Sequence, residues 1–309
     1  MSDRHNLRPL HLGLIGAGPW GRNYISTIAE LDGVNLTRLA STNPDSARLV
    51  GPECVISKNW QDVVDAEELD GLVIASPPST HADIALAAIS KGLAVLLEKP
   101  MALSVVDAGK ILAAAQAEDA IVMVDHIHLY SAAWEALRRE ASALGAIRTM
   151  MGIAGKWCPI PPRTPILWEW GSHDLAMCIS LIGRVPENVS IKRIDFREGG
   201  ETLSLALDFG DAVARLTISS LFQKPNRFFS IFFDGGELIY DDTLGGGDKL
   251  RLKTSSKDPG GTFKLNAGTP LERCVRNFRD AVLRGGPDLD DVILGFQVTE
   301  TLDRLEARL

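Results

Sequence analysis

The chain has 309 residues, of which 45% are hydrophobic and 23% charged, the balance of an ordinary globular protein with about two domains. Its net charge of −8 disfavours nucleic acid and anionic membranes as partners, since both attract positively charged surfaces. No apolar run approaches the roughly 18 residues that cross a bilayer, and no secretory signal stands at the N-terminus, so we expect a cytoplasmic protein.

The first 125 residues alternate between short apolar runs and amphipathic stretches. The apolar runs are unbroken, as in parallel strands covered on both faces. They are His11–Gly16, Val34–Ser41, Gly71–Ser76, Leu93–Glu98 and Ala120–Asp125. The predicted helices between them are Gly21–Leu31, Thr80–Lys91 and Ser104–Ala117. This alternation predicts an α/β fold that begins with a doubly wound parallel sheet, a Rossmann dinucleotide-binding domain over residues 1–125.

The pattern changes to alternating and β-branched runs after residue 125. The predicted strands are Ile147–Trp157, Val189–Phe196, Glu201–Phe209, Ala212–Leu221, Phe228–Phe233 and Leu238–Tyr240. The predicted helices are Ser131–Leu144, one beginning near Trp168, Pro270–Arg284 and Asp288–Arg308. Residues 126–309 are therefore expected to form an α+β domain with an open, mostly antiparallel sheet, whose closing helices can pack back on the first domain. Gly245–Gly261 is expected to be a mobile surface loop.

A glycine-rich turn follows the first predicted strand. It reads Gly16-Ala17-Gly18-Pro19-Trp20-Gly21 and opens the first strand–helix–strand unit. The first glycine permits a tight turn, the second lets the backbone approach a pyrophosphate, and the third lets helix and strand pack closely. This turn predicts a bound dinucleotide.

The choice between NAD and NADP depends on the end of the second predicted strand. An acidic residue usually stands there in NAD-specific folds, but this chain has Ser41 followed by Thr42. Without a carboxylate nothing repels a 2′-phosphate, although no Arg or Lys lies immediately beside the two residues. The sequence therefore leans slightly to NADP and leaves a site of dual specificity open.

Two segments carry candidate acid–base groups. Glu98 and Lys99 end a predicted strand, where open α/β sheets bind ligands, yet Lys99 can equally be a solvated lysine before a proline turn. Glu169 and His173 are four residues apart and would share a helix face, which allows the carboxylate to orient the imidazole. The alternative is that Glu169 and Asp174 are solvated surface charges.

A histidine-rich segment, Asp125–Tyr130, follows the last strand of the first domain. His126 and His128 have the spacing of metal ligands in a strand, but no third ligand follows at a suitable distance, and we expect no metal. His128 and Tyr130 can instead bind a hydroxylated substrate. The four cysteines form no CxxC pair, which predicts reduced thiols.

Taken in order, these features resemble the glucose–fructose oxidoreductase/inositol dehydrogenase/MocA family over nearly the whole chain. The matching segments are GAGPWG (16–21), ASPPSTH (75–81), LLEKPMALS (96–104), MVDHIHLYSAAW (123–134), ILWEWGSHDL (166–175) and NFRDAV (277–282). The resemblance implies an open sheet that forms oligomer contacts, so a homo-oligomer (dimer or tetramer) is expected. It also implies a substrate that is a sugar, nucleotide sugar or polyol.

The resemblance assigns roles to individual residues. Lys99 and His173 are implied to act on the substrate hydroxyl or carbonyl, with Glu169 orienting His173. The residues implied or expected to contact the cofactor are Gly16, Gly18, Pro19, Trp20, Gly21, Ser41, Thr42, Ser76, Pro77, His81, Glu98 and Lys99. His128, Tyr130 and Trp168 are expected on the substrate side. The chain departs from the family at Glu169, usually Asp, and at Ala176, where many members carry an acidic residue.

The leading hypothesis is an NAD(P)-dependent dehydrogenase that transfers a hydride between nicotinamide and a secondary alcohol or ketone. Two alternatives remain open. One is a non-redox enzyme, of glycosidase or epimerase type, that uses tightly bound NAD transiently, and the other is a binding protein that senses nicotinamide redox state. The sugar, the carbon oxidised, the reaction direction and the oligomer size are left open by the sequence.

Overall fold

The computed structural model describes residues 8–157, 164–197, 199–245, 249–253, 263, 265–266, 268–286 and 289–309. The chain divides into two compact units, Met1–Asp125 with Leu271–Phe296 and His126–Pro270 with Gln297–Leu309. Residues 271–296, which the sequence analysis placed in the second domain, thus belong to the first unit. Phe278 is fully buried there and leaves no room for a side chain at Gly71, because a Cβ at Gly71 would lie 3.0 Å from its ring.

The first unit contains a six-stranded parallel sheet in the order β3-β2-β1-β4-β5-β6. Its strands are β1 (Leu10–Ile15), β2 (Val34–Ala40), β3 (Val55–Ser57), β4 (Gly71–Ile74), β5 (Ala94–Glu98) and β6 (Val122–Asp125). Its helices are α1 (Pro19–Ala29), α2 (Gln61–Val64), α3 (His81–Ser90), α4 (Val105–Ala117) and α7 (Pro270–Arg284). The predicted Rossmann sheet is confirmed, and the strand order reverses between β1 and β4, where such folds bind ligands.

Burial explains why the strands of this sheet read as unbroken apolar runs. Leu72, Val73 and Ile74 of β4 and Val95 and Leu96 of β5 are all 0% exposed. Helices that cover both faces of a parallel sheet leave no position along a central strand for a polar side chain. The short edge strand β3 lacks this signal, and the sequence analysis missed it.

The second unit contains a seven-stranded sheet in the order β13-β12-β11-β7-β10-β9-β8, in which the β7–β10 pair is parallel and the other pairs are antiparallel. Its strands are β7 (Ile147–Gly155), β8 (Asn188–Arg197), β9 (Gly200–Asp208), β10 (Val213–Ser219), β11 (Asn226–Phe233), β12 (Gly236–Asp241) and β13 (Leu250–Lys253). Its helices are α5 (Ala132–Ala141) and α6 (Ser172–Ile182), and the division between the units falls within α8 (Asp290–Glu306). The mostly antiparallel sheet is confirmed.

One face of this second sheet is covered and the other is open. Leu203, Leu205 and Leu207 of β9 are buried, whereas the intervening Ser204 and Ala206 are half-buried. This period-2 alternation is the signature of an antiparallel sheet with a single core face. It is also why the strands of the second unit could be recognised from the sequence.

The prediction of a loop over Gly245–Gly261 is wrong for Leu250–Lys253, which forms β13 and pairs with β12. Leu250 is fully buried, but the Lys, Arg and Gly around it hide the strand pattern. Residues 246–248 and 254–261 of that segment lie outside the described residues, as does Cys158, one of the four cysteines. Among the described residues, no helix is long and apolar enough to span a bilayer.

Candidate functional site

The glycine turn after β1 has the geometry that a pyrophosphate cradle requires. Gly16 has φ of +100°, and a Cβ there would lie 2.6 Å from the carbonyl oxygen of Ala75 at the end of β4. A Cβ at Gly21 would lie 2.0 Å from the Gly16 carbonyl oxygen. Gly18 is exposed and its Cβ would meet no atom within 4 Å. Two glycines therefore allow the close packing of turn and helix, and the third leaves open space for a ligand.

Helix α1 starts at this turn with its first N–H groups available to an anion. Gly18 is its N-cap and Pro19 its first residue, and no side chain of the described residues caps this end. Pro19 suits the position because a first-turn N–H has no partner within the helix. The positive end of the helix dipole thus faces the open space beside Gly18, and the residues fit a dinucleotide phosphate. Trp20 is 36% exposed beside them.

The end of β2 carries hydroxyl groups and no carboxylate. The Ser41 hydroxyl accepts hydrogen bonds from the Asn43 backbone N–H at 3.1 Å and from the Ser46 hydroxyl at 2.8 Å, and it keeps its own proton to donate. Thr42 is exposed. The nearest charged groups downstream, Asp45 and Arg48, pair with each other at 3.3 Å on the surface.

His81 joins two loops at the carboxyl edge of the first sheet. It is 0% exposed, with Nε2 2.9 Å from the Ser76 carbonyl oxygen and Nδ1 2.9 Å from the Pro100 carbonyl oxygen. Burial lowers the pKa of His81, against the two carbonyl contacts that favour its protonated form. A ring so enclosed has no surface to offer a cofactor. The direct contact with the cofactor that the sequence analysis expected is therefore not available to His81, which instead joins the loops of Ser76 and Pro100. Ser76 and Pro77 are accessible.

Glu98 and Lys99 are buried, each 6% exposed. The alternative of a solvated Lys99 is therefore wrong. Beside them Asp125 at the end of β6 is 1% exposed and accepts a hydrogen bond from the Tyr24 hydroxyl at 2.5 Å. Burial raises the pKa of Asp125, and burial together with the Asp125 charge raises the pKa of Tyr24. Neither Asp125 nor Tyr24 was selected by the sequence analysis, although an acid at a strand end is a signal that could have found Asp125.

In the second unit, His173 lies in the first turn of α6 and is 8% exposed. The chain enters this helix through a π-helical turn over Leu167–Gly171, a widening that is frequent at functional sites. Glu169 lies half-buried on that turn, so the regular helix assumed for the Glu169–His173 pair begins only after Glu169. Its orienting role stays a prediction.

The imidazoles of His128 and His173 meet edge to face, with ring centroids 4.9 Å apart. His128 is on a 3₁₀ turn, Ile127–Tyr130, and its Nδ1 lies 3.8 Å from Oδ2 of Asp242, which pairs with the Lys249 ammonium at 2.7 Å. The structure thus brings together two histidines that the sequence analysis selected separately. It adds Asp242 and Lys249, which sequence reasoning missed because they are isolated charges near a loop.

Asp174 and Trp168, which lie near His173 in the sequence, are buried and bonded to other side chains of the second unit. Asp174 is 0% exposed and forms an ion pair with Arg227 of β11, so the view of Asp174 as a solvated charge is wrong. The guanidinium of Arg227 also lies 5.6 Å from the centroid of the Trp170 ring. Trp168 is 2% exposed and its indole N–H donates to Glu306 at 2.9 Å. A side chain so covered cannot contact a substrate as expected, and Trp168 instead packs the core of the second unit.

The fold and the glycine turn define a nucleotide-binding α/β protein with a second, sheet-containing unit. Residues 10–126 match the model of an oxidoreductase family with an NAD-binding Rossmann fold, the glucose–fructose oxidoreductase/inositol dehydrogenase/MocA family. A proposed oxidoreductase from Magnetospirillum magnetotacticum, solved by crystallography, is 39% identical, with a TM-score of 0.88 over 96% of this chain and 99% of that one. The chain belongs to this family, and the predicted resemblance is confirmed.

Two curated relatives are more distant. A 4-carboxy-2-hydroxymuconate-6-semialdehyde dehydrogenase from Sphingobium is 21% identical over 97% of this chain and 99% of the relative. A UDP-N-acetylglucosamine 3-dehydrogenase from Acidithiobacillus ferrooxidans is 27% identical over 72% of this chain and 71% of the relative. Both are named dehydrogenases, and the chain is accordingly an enzyme of an NAD-binding oxidoreductase family, as the sequence predicted.

Proposed function

We propose that this protein transfers a hydride reversibly between nicotinamide and a secondary alcohol or ketone of a sugar, nucleotide sugar or polyol. The observation that carries the proposal is the glycine turn, in which Gly16 and Gly21 permit close packing and Gly18 leaves the start of α1 open to an anion. A relative that acts on a nucleotide sugar supports the substrate class.

In this proposal His173 is the general acid–base. An alcohol gives up its hydride only as its hydroxyl proton departs, and an imidazole that titrates near neutrality can take that proton and return it. The edge-to-face contact with His128 restricts the His173 ring, which supports a fixed direction for the proton transfer. Glu169 orients His173, and His128 and Tyr130 bind substrate hydroxyl groups.

Lys99 binds the reacting oxygen and stabilises the negative charge that develops there. Its burial supports this role, because a lysine is rarely buried unless its charge is paired or used. The cofactor supplies the hydride acceptor at nicotinamide C4 when bound. We propose NADP as the slightly preferred form, supported by the hydroxyl groups of Ser41 and Thr42 and the lack of a carboxylate at the end of β2.

The test is a screen of sugars, nucleotide sugars and polyols with NAD and NADP. Each reaction is monitored by the absorbance of the reduced nicotinamide. Time-dependent reduction with at least one member of these classes is expected. Turnover of a sugar without net reduction, by protein that copurifies with its cofactor, would instead indicate the non-redox enzyme. Cofactor binding with no turnover of any compound would indicate a sensor.

We also propose that the protein is a homo-oligomer, a dimer or tetramer. The support is the open face of the second sheet, where Met151, Ile153 and Phe232 are 48%, 38% and 37% exposed. Their strand registers place the three side chains on the same face. Apolar side chains grouped in this way mark an association surface more often than singly exposed ones do.

A further inference from the structure

Two carboxylic acids lie side by side at the carboxyl edge of the first sheet. Glu98 is the last residue of β5 and Asp125 the last of β6, and the parallel register pairs them directly. Paired residues of neighbouring strands point to the same side of a sheet. Both side chains are buried, at 6% and 1% exposure.

A hydrogen bond between two carboxyl groups requires a proton. An ionised carboxylate only accepts hydrogen bonds, so one partner must be protonated to donate. Two ionised carboxylates at paired positions of neighbouring strands would also repel each other in a buried site. The direction of the pKa of Asp125, raised by its burial, agrees with a proton held on this pair.

The groups that face Asp125 come from four elements. They are Tyr24 of α1, Glu98 and Lys99 at the end of β5, Cys274 of α7 and, beside Cys274, Asp291 of α8. The Tyr24 hydroxyl donates a hydrogen bond to Oδ2 of Asp125. With one proton, the Glu98–Asp125 pair carries a single negative charge, which the ammonium of Lys99 balances. With no proton, two buried negative charges would face that one ammonium.

We propose that Asp125 is a positioning residue, which shares one proton with Glu98 at neutral pH and so fixes the direction of the Glu98 side chain toward the cofactor. The proposal rests on the proposed function, in which Lys99 binds the substrate oxygen, and on the contact with the cofactor that the family resemblance implies for Glu98. Tyr24 donates to Oδ2 of Asp125 and so restricts the orientation of this carboxyl group. Loss of the shared proton at high pH drives the two carboxylates apart and weakens cofactor binding.

The first test compares Asp125→Asn with Asp125→Leu. Asparagine keeps an acceptor for the Tyr24 hydroxyl and gives Glu98 a donor that no pH change removes. We expect Asp125→Asn to bind NAD and NADP about as tightly as the wild type at pH 7 and to lose the weakening of binding at high pH. Asp125→Leu provides neither group, and we expect its dissociation constant to rise about 10–100-fold. Calorimetric titration from pH 6 upward, in steps of about one pH unit, measures the dissociation constants of both variants.

The second test detects the proton itself. The infrared spectrum of the wild type at pH 7 should contain the C=O stretch of a buried protonated carboxyl group, and this band should vanish in Asp125→Asn and in the reciprocal variant Glu98→Gln. Asp70→Asn is the matched control, because Arg8 and the His11 backbone N–H hold the Asp70 carboxyl ionised, with its pKa lowered. That variant should leave the band unchanged.

Absence of the band at pH 7, or its persistence in both Asp125→Asn and Glu98→Gln, overturns the proposal. Binding by Asp125→Asn that weakens at high pH as in the wild type also overturns it. A band that behaves as expected in a protein that reduces no nicotinamide with any sugar or polyol leaves the shared proton standing and defeats the proposed dehydrogenase function instead.

Discussion

The imidazole of His173 is the residue on which the proposed chemistry depends most directly. The side chain is 8% exposed, and its ring packs edge to face with the ring of His128, with centroids 4.9 Å apart. Such a ring has few orientations in which it can exchange a proton. A general acid–base in a fixed orientation is typically worth ~10²–10⁴ in rate.

We therefore expect His173→Ala to lower kcat by ~10²–10⁴ with the substrate that the screen identifies, while the dissociation constant of the cofactor changes little. Steady-state kinetics and calorimetric titration measure the two quantities. His11→Ala is the control, because His11 lies half-buried in β1 of the other unit and should leave kcat unchanged. Wild-type turnover by His173→Ala would remove this residue from the mechanism.

Cofactor choice is also decided at single residues. Ser41 and Thr42 offer hydroxyl groups to a 2′-phosphate, but the nearby Arg48 is engaged with Asp45, so we expect NADP to bind more tightly than NAD by less than about tenfold. In Ser41→Asp, a carboxylate would accept the ribose 2′-hydroxyl and repel a 2′-phosphate, and the preference should turn to NAD. Ser41→Ala removes the hydroxyl without adding charge. Dissociation constants for both cofactors test this, and an unchanged ratio in Ser41→Asp would contradict the placement of the ribose at Ser41.

Single residues also show where sequence reasoning stops. Gly16, Gly18 and Gly21 could be assigned because each role follows from the local backbone. Asp174 could not be distinguished from a solvated charge, because its partner Arg227 is 53 positions away in β11. The contact between His128 and His173 could not be predicted for the same reason, since no local pattern connects the turn after β6 to the first turn of α6.

At the scale of elements, His81 links the loop after β4 to the turn after β5. Both ring nitrogens lie 2.9 Å from backbone carbonyl oxygens of these loops, Ser76 and Pro100. The ring is fully buried, and burial lowers its pKa. The two loops that bear Ser76 and Lys99 are therefore held together by a histidine that resists protonation.

This arrangement makes the stability of the protein depend on pH. The unfolded chain takes up a proton on His81 at about pH 6.5, whereas the folded chain takes it up only at lower pH. The contribution of His81 is thus fully present above about pH 6.5 and is lost as pH falls toward the lowered folded pKa. We expect the free energy of unfolding, from urea titrations, to fall less steeply with decreasing pH in His81→Leu than in the wild type. Equal slopes would contradict a lowered pKa.

His81→Leu should also be less stable at pH 8, by about 1–3 kcal/mol, since the carbonyl that accepts the single N–H of the neutral imidazole loses its donor. Cofactor binding should weaken in the same variant, because both loops lose their common support. A variant that is destabilised yet binds cofactor normally would limit His81 to a structural role.

The predictability of the elements follows their burial pattern. The parallel strands β4 and β5 and the alternating strand β9 could be predicted because their hydrophobic periods are complete. β3 and β13 could not, because three or four residues at a sheet edge contain too short a pattern, and β13 is recognisable only from its pairing with β12. The π-helical turn before α6, on which Leu167 and Trp168 are buried, was not predicted from the sequence.

At the scale of the whole molecule, the division of the chain was only partly visible in the sequence. Helix α7 follows the second sheet in the chain but belongs to the first unit, where Leu271, Cys274, Val275 and Phe278 are buried. The sequence predicted this helix, but a helix with one apolar face does not specify which core that face covers. The assignment of closing helices to a unit requires the tertiary structure.

The proposed homo-oligomer can be tested on the open face of the second sheet. Met151 of β7 is 48% exposed between Ser230 of β11 and Arg215 of β10, its partners in the strand register. A carboxylate buried there against a second copy would lack a partner and cost several kcal/mol per interface, so Met151→Glu should shift the protein toward the monomer.

Light scattering coupled to size-exclusion chromatography, over a range of protein concentrations, measures the mass of each species. Val106→Glu is the control, because Val106 is 69% exposed on α4 of the first unit rather than on this sheet, and its substitution should leave the oligomer intact. A wild type that is monomeric at every concentration would contradict the oligomer itself. An oligomer that survives Met151→Glu would show that association uses another surface, and the apolar side chains of the open face would then require a different explanation.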